Sequence, residues 1–372
     1  MKTKSVGGFF VGCGGLDFGF LNAGFKIKWA NEKEETFANS YKSLTGHSCL
    51  VGDFWEVFGQ IPEVDVVIGG PPCQSFSLVG KRVQDDPRGA LVGGFLEMIA
   101  SKRPRAFLME NVAGLSASRV DGTRLPEHLA NQFKRMGYDV LVERVDASEY
   151  FVPQRRKRLI IIGVLNPTLE LKLVTQKQFA LHIKKRTGIS LELGKTSTRA
   201  ALSDLPSPSV SKGTLMEYQS SPNSPYSELM RMGSGNQVSH QTMPTMSKLD
   251  REFVEHIPQG GNYMNIPDEI CTPRIMKFKQ TGGRTTCYGR LSEDLPAYTI
   301  NTYFNRPNVG ANYHYSENRL ITVREAMRLQ SFPDTFSPNF KSQRELHIQI
   351  GNAVPPLLAE ALAISMIGPI GG

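Results

Sequence analysis

Apolar positions along this chain follow two spacings. Short apolar runs closed by turn residues predict buried strands at Val64–Ile68, Ala106–Met109 and Leu159–Val164, because a strand covered on both faces needs no polar alternation. Helical spacing marks Gly94–Ser101, Val323–Gln330 and Pro356–Met366. Another short strand precedes the glycine-rich turn Phe9–Asp17, which opens a helix. Strands separated by helices make βαβ units, so the expected fold is α/β with a mainly parallel sheet. Ligands of such sheets sit beyond the carboxyl ends of the strands, and Cys73 and Glu110 fall at two such ends. After about Asn166 the periodicity weakens. Leu205–Lys212 and Tyr218–Tyr226 are rich in Pro, Ser and Asn, and up to about Asn318 basic residues mix with Tyr, Phe and Asn. The expected division is a large domain over 1–190, completed by 346–372, and a smaller, irregular one over 191–345.

Composition narrows the class. Of the 372 residues, 40% are hydrophobic and 21% charged, which excludes a disordered chain and suffices for a sizeable core. A net charge of +8 suits a polyanionic partner, although ordinary basic surface charge gives the same sum. The five cysteines are scattered with no C-x-x-C pair, so neither a zinc site nor a disulfide framework is expected. No apolar run reaches the roughly 18 residues of a membrane span, and no h-region follows the basic start. The expectation is a cytoplasmic protein without a membrane role.

Several segments carry candidate chemistry. In Phe9-Phe10-Val11-Gly12-Cys13-Gly14-Gly15-Leu16-Asp17, the glycines let a ligand approach the backbone and leave helix N–H groups free to bind it. A tight turn would look the same. Glu32 follows one helix-length later, where a carboxylate can bind ribose hydroxyls. Asp53, before Phe54, can accept from an exocyclic amine; either acid could equally be a solvated loop residue. In Gly69-Gly70-Pro71-Pro72-Cys73-Gln74, two prolines stiffen the backbone before a thiol, which favours a reactive sulfur over a buried inert one. Glu110-Asn111-Val112 places a carboxyl behind apolar residues, where its pKa is expected to rise so that it can donate a proton. Gln154-Arg155-Arg156-Lys157-Arg158 is either a solvated basic face or a site for phosphate or a polarised carbonyl.

In this order, the segments resemble the cytosine-C5 DNA methyltransferases of bacterial restriction–modification type. The resemblance covers most of the chain and continues in Arg324–Pro333 and in Gln349-Ile-Gly-Asn-Ala-Val-Pro-Pro356. It implies a Rossmann-like domain dependent on S-adenosylmethionine, with S-adenosylhomocysteine as product and no metal, and a target-recognition domain. It implies a cofactor site at Phe10, Gly12, Gly14, Gly15, Glu32, Asp53, Phe54, Pro72, Asn352 and Val354. Cys73 would attack cytosine C6, Glu110 would protonate or hydrogen-bond N3, Arg158 would donate to O2 and Arg156 would support the pocket. The base must be flipped out of the duplex for this. Lys81 and Arg82, in a loop over Leu78–Gly89, would close on double-stranded DNA, with Gln154, Arg284 and Arg290 as further DNA contacts. A monomer is implied, with a cognate restriction endonuclease acting on the same site without stable complex. Lys33 departs from the family, where a bulky apolar residue packs on the adenine.

Three rivals remain at this stage. A tRNA cytosine methyltransferase would share the catalytic residues, but its Cys-Phe-Thr element is absent. A nicotinamide-dependent oxidoreductase rests on the glycine loop alone. A catalytically silent DNA-binding protein leaves the set Cys73, Glu110 and Arg158 unexplained.

Overall fold

A computed structural model describes residues 3–72, 87–120, 122–211, 213 and 215–371. The chain divides into two compact units, one of Met1–Asp146, Lys157–Thr175 and Pro356–Gly372, the other of Ala147–Arg156 and Gln176–Pro355. The boundary expected near 190 thus falls at 175, and the chain returns at 356 and not at 346. One reason is the helix Gln176–Thr187, whose Phe179 packs on Tyr150 and Phe151 of the second unit.

The first unit is built on β1 (Ser5–Phe9), β2 (Lys26–Glu32), β3 (Leu50–Val51), β4 (Val66–Gly69), β5 (Ala106–Val112), β6 (Tyr138–Asp146) and β7 (Lys157–Leu165). Among the described residues these form one sheet in the order β3-β2-β1-β4-β5-β7-β6. Strands β1 to β5 run parallel, whereas β7 is antiparallel to both β5 and β6. The chain winds outward from β1 to β3 in one direction and from β4 to β6 in the other. The topological switch point is therefore the β1/β4 pair, where Phe9 lies opposite Gly69. An open α/β sheet binds its ligand in the crevice at that point.

Both faces of the sheet are buried. Phe9, Trp29, Val67, Phe107, Met109 and Ile161 share a core cluster with Phe95, Met98, Leu129 and Phe133. The last four come from α4 (Pro87–Lys102) and α5 (Leu125–Arg135). Residues of opposite parity, such as Ile68, Leu108, Ile160 and Ile162, are buried too. This explains the unbroken apolar runs in the sequence. The first helix, α1 (Gly15–Asn22), packs closely on α6 (Pro356–Ile370): a Cβ at Gly19 would lie 2.4 Å from the Ala359 side chain. An 18-residue window within Gln343–Ile370 is apolar enough by composition to pass for a membrane span, but 78% of that window is buried inside the protein. A core helix has the same composition as a span.

Asp17, in the first turn of α1, is 1% exposed. Tyr41 Oη donates to its Oδ1 at 3.2 Å, while Oδ2 meets no donor among the described residues. Burial pushes the carboxyl up to about 7, against the Tyr41 hydrogen bond. An unfolded carboxyl titrates near 3.9, so the stability supplied by neutral Asp17 is complete below that pH and is lost as pH rises through about 7. Asp17→Asn cannot ionise. Its stability relative to the parent should therefore rise by about 2–3 kcal/mol between pH 5 and pH 8, as read from urea unfolding at the two pH values. A difference that does not change with pH would mean Asp17 ionises normally.

The second unit is less irregular than its sequence suggests. Phe253, Val254, Ile257, Tyr263, Ile275 and Tyr313 belong to a buried cluster. A buried polar network joins Arg328 to Asp204 at 3.0 Å and to Asp334 at 2.6 Å. Each arginine or aspartate is buried with a countercharge, as a desolvated ion requires.

Candidate active site

The loop after β1 supplies a cradle at the switch point. Phe10 adopts φ 57°, a left-handed conformation costly for a side chain with a Cβ. Gly12 has φ +56°, and nothing lies within 4 Å of where its Cβ would be. Gly14 caps α1 with φ 92°, and Gly15 is the first helical residue. The loop therefore leaves open space beside Gly12 just before a helix start, which suits close approach of a nucleoside carrying a charged tail.

Glu32 closes β2 against this loop. Its carboxylate accepts from Gly12 N at 2.8 Å, Lys33 N at 2.8 Å and Glu34 N at 3.1 Å. Burial raises its pKa, and these three N–H donors work the other way. Asn31 anchors the same strand end, its Nδ2 donating to Leu50 O and Gly52 O. Asp53 is the N-cap of the short helix α3 (Phe54–Val57), accepts from Trp55 N and pairs with Lys33 Nζ at 3.2 Å. Both acids thus have local structural work, and each carboxylate retains lone pairs for a ligand. Phe54 is a core residue, packed on Phe9 and stacked on Phe10 with centroids 5.4 Å apart. Phe10 is only partly buried and offers the aromatic surface here.

Across the switch point, β4 runs into Gly70-Pro71-Pro72. Asn111 Nδ2 donates to Pro71 O at 2.9 Å, tying the Pro-Pro segment to the end of β5. Cys73, Lys81 and Arg82, with most of the Leu78–Gly89 loop, lie outside the described residues; the loop's last three residues are the start of α4. Strand β5 runs three residues past the sequence expectation, so Glu110 lies within it and not beyond its end. The antiparallel register sets Val112 opposite Arg158. That brings Arg158 Nε to 2.7 Å from Glu110 Oε1, with both side chains about 10% exposed. The contact is an ion pair without hydrogen-bond alignment at Nε. A Cβ at Gly70 would lie 3.0 Å from Glu110 Oε2, so the bare glycine keeps room beside that oxygen. The result is a carboxyl and a guanidinium, both shielded from water, held at the strand ends one residue from the Asn111–Pro71 tie.

Other predicted residues lie in the second unit. Arg156 is fully buried, and its guanidinium donates to Ile300 O, Gly351 O and Ala353 O at 2.8–2.9 Å. This fixes the turn after the helix Gln343–Asn352, which carries exposed Asn352 and buried Val354. Gln154 and Arg290, expected as DNA contacts, are both engaged inside their own unit. Gln154 is fully buried, accepting from Ile300 N and donating to Leu329 O. Arg290 is buried, with Nη2 committed to Val254 O at 2.7 Å and Asn318 Oδ1 at 2.5 Å. Neither side chain can reach a base without abandoning partners inside its own unit. Arg284 remains exposed. Sequence reasoning missed Asn111 as the residue that ties the Pro-Pro segment, although it stood inside a quoted motif.

The family model for C-5 cytosine-specific DNA methylases matches residues 5–368. The Type II methyltransferase M.DdeI of Desulfomicrobium norvegicum is 32% identical, covering 95% of this chain and 86% of its own. The Type II methyltransferase M.AgeI of Thalassovita gelatinovora is 31% identical over 98% of each. In fold, the chain is similar to the crystal structure of the S. pombe Dnmt2 methyltransferase, with a TM-score of 0.60, 13% identity and coverage of 98% and 97%.

Proposed function

This chain belongs to the C-5 cytosine-specific DNA methylase family, and on that premise we propose that it methylates C5 of a cytosine in a specific duplex DNA site, as the modification enzyme of a restriction–modification system. S-adenosylmethionine supplies an electrophilic methyl group when bound. Phe10, Gly12, Gly14, Gly15, Glu32 and Asp53 would hold it, and the open space at Gly12 supports that fit. Phe54, Pro72, Asn352 and Val354 complete the proposed set.

C5 of cytosine is a weak nucleophile, and the protein's task is to enrich it. The Cys73 thiolate adds to C6, which breaks the ring's aromaticity and moves electron density to C5. Glu110 takes up a proton from solvent as the base enters and donates it to N3, and Arg158 donates to O2, offsetting the charge that develops on the ring. C5 then accepts the methyl group. Solvent then takes the C5 proton, the C6–S bond breaks to release the Cys73 thiolate, and the N3 proton returns to Glu110, which restores the aromatic ring. Arg156 keeps the supporting turn in place. The observation that carries this reading is the shielded Glu110–Arg158 pair beside the Asn111–Pro71 tie. In bulk water such an ion pair would be solvated and would stabilise little. Lys81, Arg82 and Arg284 are the proposed DNA contacts. The protein would act as a monomer in the cytoplasm, sharing its site with a cognate endonuclease.

Labelled methyl transfer to duplex DNA and to tRNA, measured side by side, tests this. Incorporation into DNA alone is expected, and bisulfite sequencing of DNA from expressing cells should show 5-methylcytosine in one sequence context. Transfer to tRNA with none to DNA would overturn the substrate.

A further inference from the structure

The segment between Glu110 and α5 belongs to none of the motifs above. After β5 the chain makes a 3-10 turn, Ala113–Ala117, and then a small hairpin pairing Arg119–Val120 with Thr123–Arg124. Its register sets Arg119 directly opposite Arg124 and Val120 opposite Thr123. Both arginines are exposed. Like charges directly opposite across an antiparallel pair destabilise it, so the Arg119–Arg124 register carries a penalty. Arg119 Nη1 donates to Gly122 O at 2.7 Å, and no carboxylate pairs with either arginine among the described residues. The Arg124 side chain makes no hydrogen bond among them.

The base of the hairpin is firmly held. Leu115 and Leu125 on either side are buried, and Val120 packs against the main core cluster. Leu125 N donates to Ser118 O at 2.8 Å, closing the hairpin's stem. The two guanidiniums are thus displayed from a rigid mount and not from a floppy tip. That mount follows directly from the strand that carries Glu110. Nine residues of fully extended chain would span at most about 30 Å, and the 3-10 turn shortens this.

We propose that the Arg119–Arg124 hairpin is a clamp for the phosphate backbone of the DNA whose base Glu110 engages. The proposal rests on the methyltransferase reading above. Two exposed cations on paired positions of one hairpin can each take a backbone phosphate oxygen, and phosphate binding relieves their mutual repulsion. The contact positions the duplex and carries no sequence information.

The test needs no knowledge of the recognised sequence, because phosphate contacts act on any duplex. Affinity for a labelled duplex of random sequence is measured between 50 and 200 mM salt for the parent, Arg124→Gln, Arg119→Ala/Arg124→Ala and Arg119→Lys/Arg124→Lys. Each lost phosphate contact should lower the slope of log K against log salt by about 0.9. For the double alanine variant the affinity ratio across that salt range should then shrink about 12-fold. The lysine variant should keep the parent slope. Without DNA, Arg124→Gln should keep or raise the Tm, since it removes a repulsion and no bond. Parent binding with an unchanged slope in Arg124→Gln overturns the clamp. Absence of any salt-dependent duplex binding by the parent would instead remove the DNA substrate itself.

Discussion

Cys73→Ser is expected to abolish methyl transfer, with a loss on the order of 10⁶-fold, the scale seen when a covalent nucleophile is removed. Binding of S-adenosylhomocysteine should stay near normal, because the sulfur acts on the base. The reasoning joins two levels. Chemically, a hydroxyl is a far weaker nucleophile than a thiolate at neutral pH. Structurally, the Asn111 Nδ2 to Pro71 O bond of 2.9 Å ties the Pro-Pro segment that precedes residue 73 to the end of the strand carrying Glu110. DNA carrying 5-fluorocytosine at the target should trap the parent as a denaturant-stable adduct, since fluorine cannot leave C5 as a proton does. Substantial turnover by Cys73→Ser, or no adduct, would rule out the covalent route.

Removing either member of the Glu110–Arg158 pair should have two separable effects. Arg158→Ala leaves a buried carboxylate without its cation, which costs about 3–5 kcal/mol of stability. Glu110→Gln keeps the shape but loses the proton donor, and kcat should drop about 10²–10³-fold. The double variant Glu110→Gln/Arg158→Met replaces the ion pair with a neutral one of similar volume. It should regain most of the stability lost in Arg158→Ala, because replacing both partners is far milder than orphaning one. It should regain none of the turnover. Urea midpoints and kcat, measured for all three, decide between roles. If turnover recovers together with stability in the double variant, the pair only holds β5 to β7.

The sequence alone was enough to determine the chemistry on offer and its order along the chain. A thiol after two prolines, a carboxyl behind an apolar run and a glycine loop before a helix are local statements, and local backbone constraints decide them. Buried strands were legible at Ala106–Met109 and Leu159–Val164 because their apolar runs need no knowledge of partners. The edge strand Tyr138–Asp146 was not recognised, because its apolar run Val140-Leu141-Val142 is followed by Glu143-Arg144 and no clean alternation marks it. Its pattern is weak, because it has a neighbour on one side only.

Tertiary structure decided what each motif residue faces. The order β3-β2-β1-β4-β5-β7-β6 puts the glycine loop and the Pro-Pro segment on either side of one switch point, although some sixty residues separate them. The reversed direction of β7 sets Arg158 beside Glu110, which no spacing along the chain implies. In Gln154-Arg155-Arg156-Lys157-Arg158 the burial alternates: Gln154, Arg156 and Arg158 are buried while Lys157 is exposed. Extended chain turns successive side chains to opposite sides, but only the carbonyls that meet Gln154 and Arg156 make the inner side theirs. Arg284 and Arg290 differ for the same reason. They stand six positions apart in one basic, glycine-rich stretch, yet Arg284 reaches solvent while Arg290 is held by Val254 O and Asn318 Oδ1. An arginine's role follows from which acceptors surround it. Those acceptors come from distant segments, so they exist only once the chain has folded.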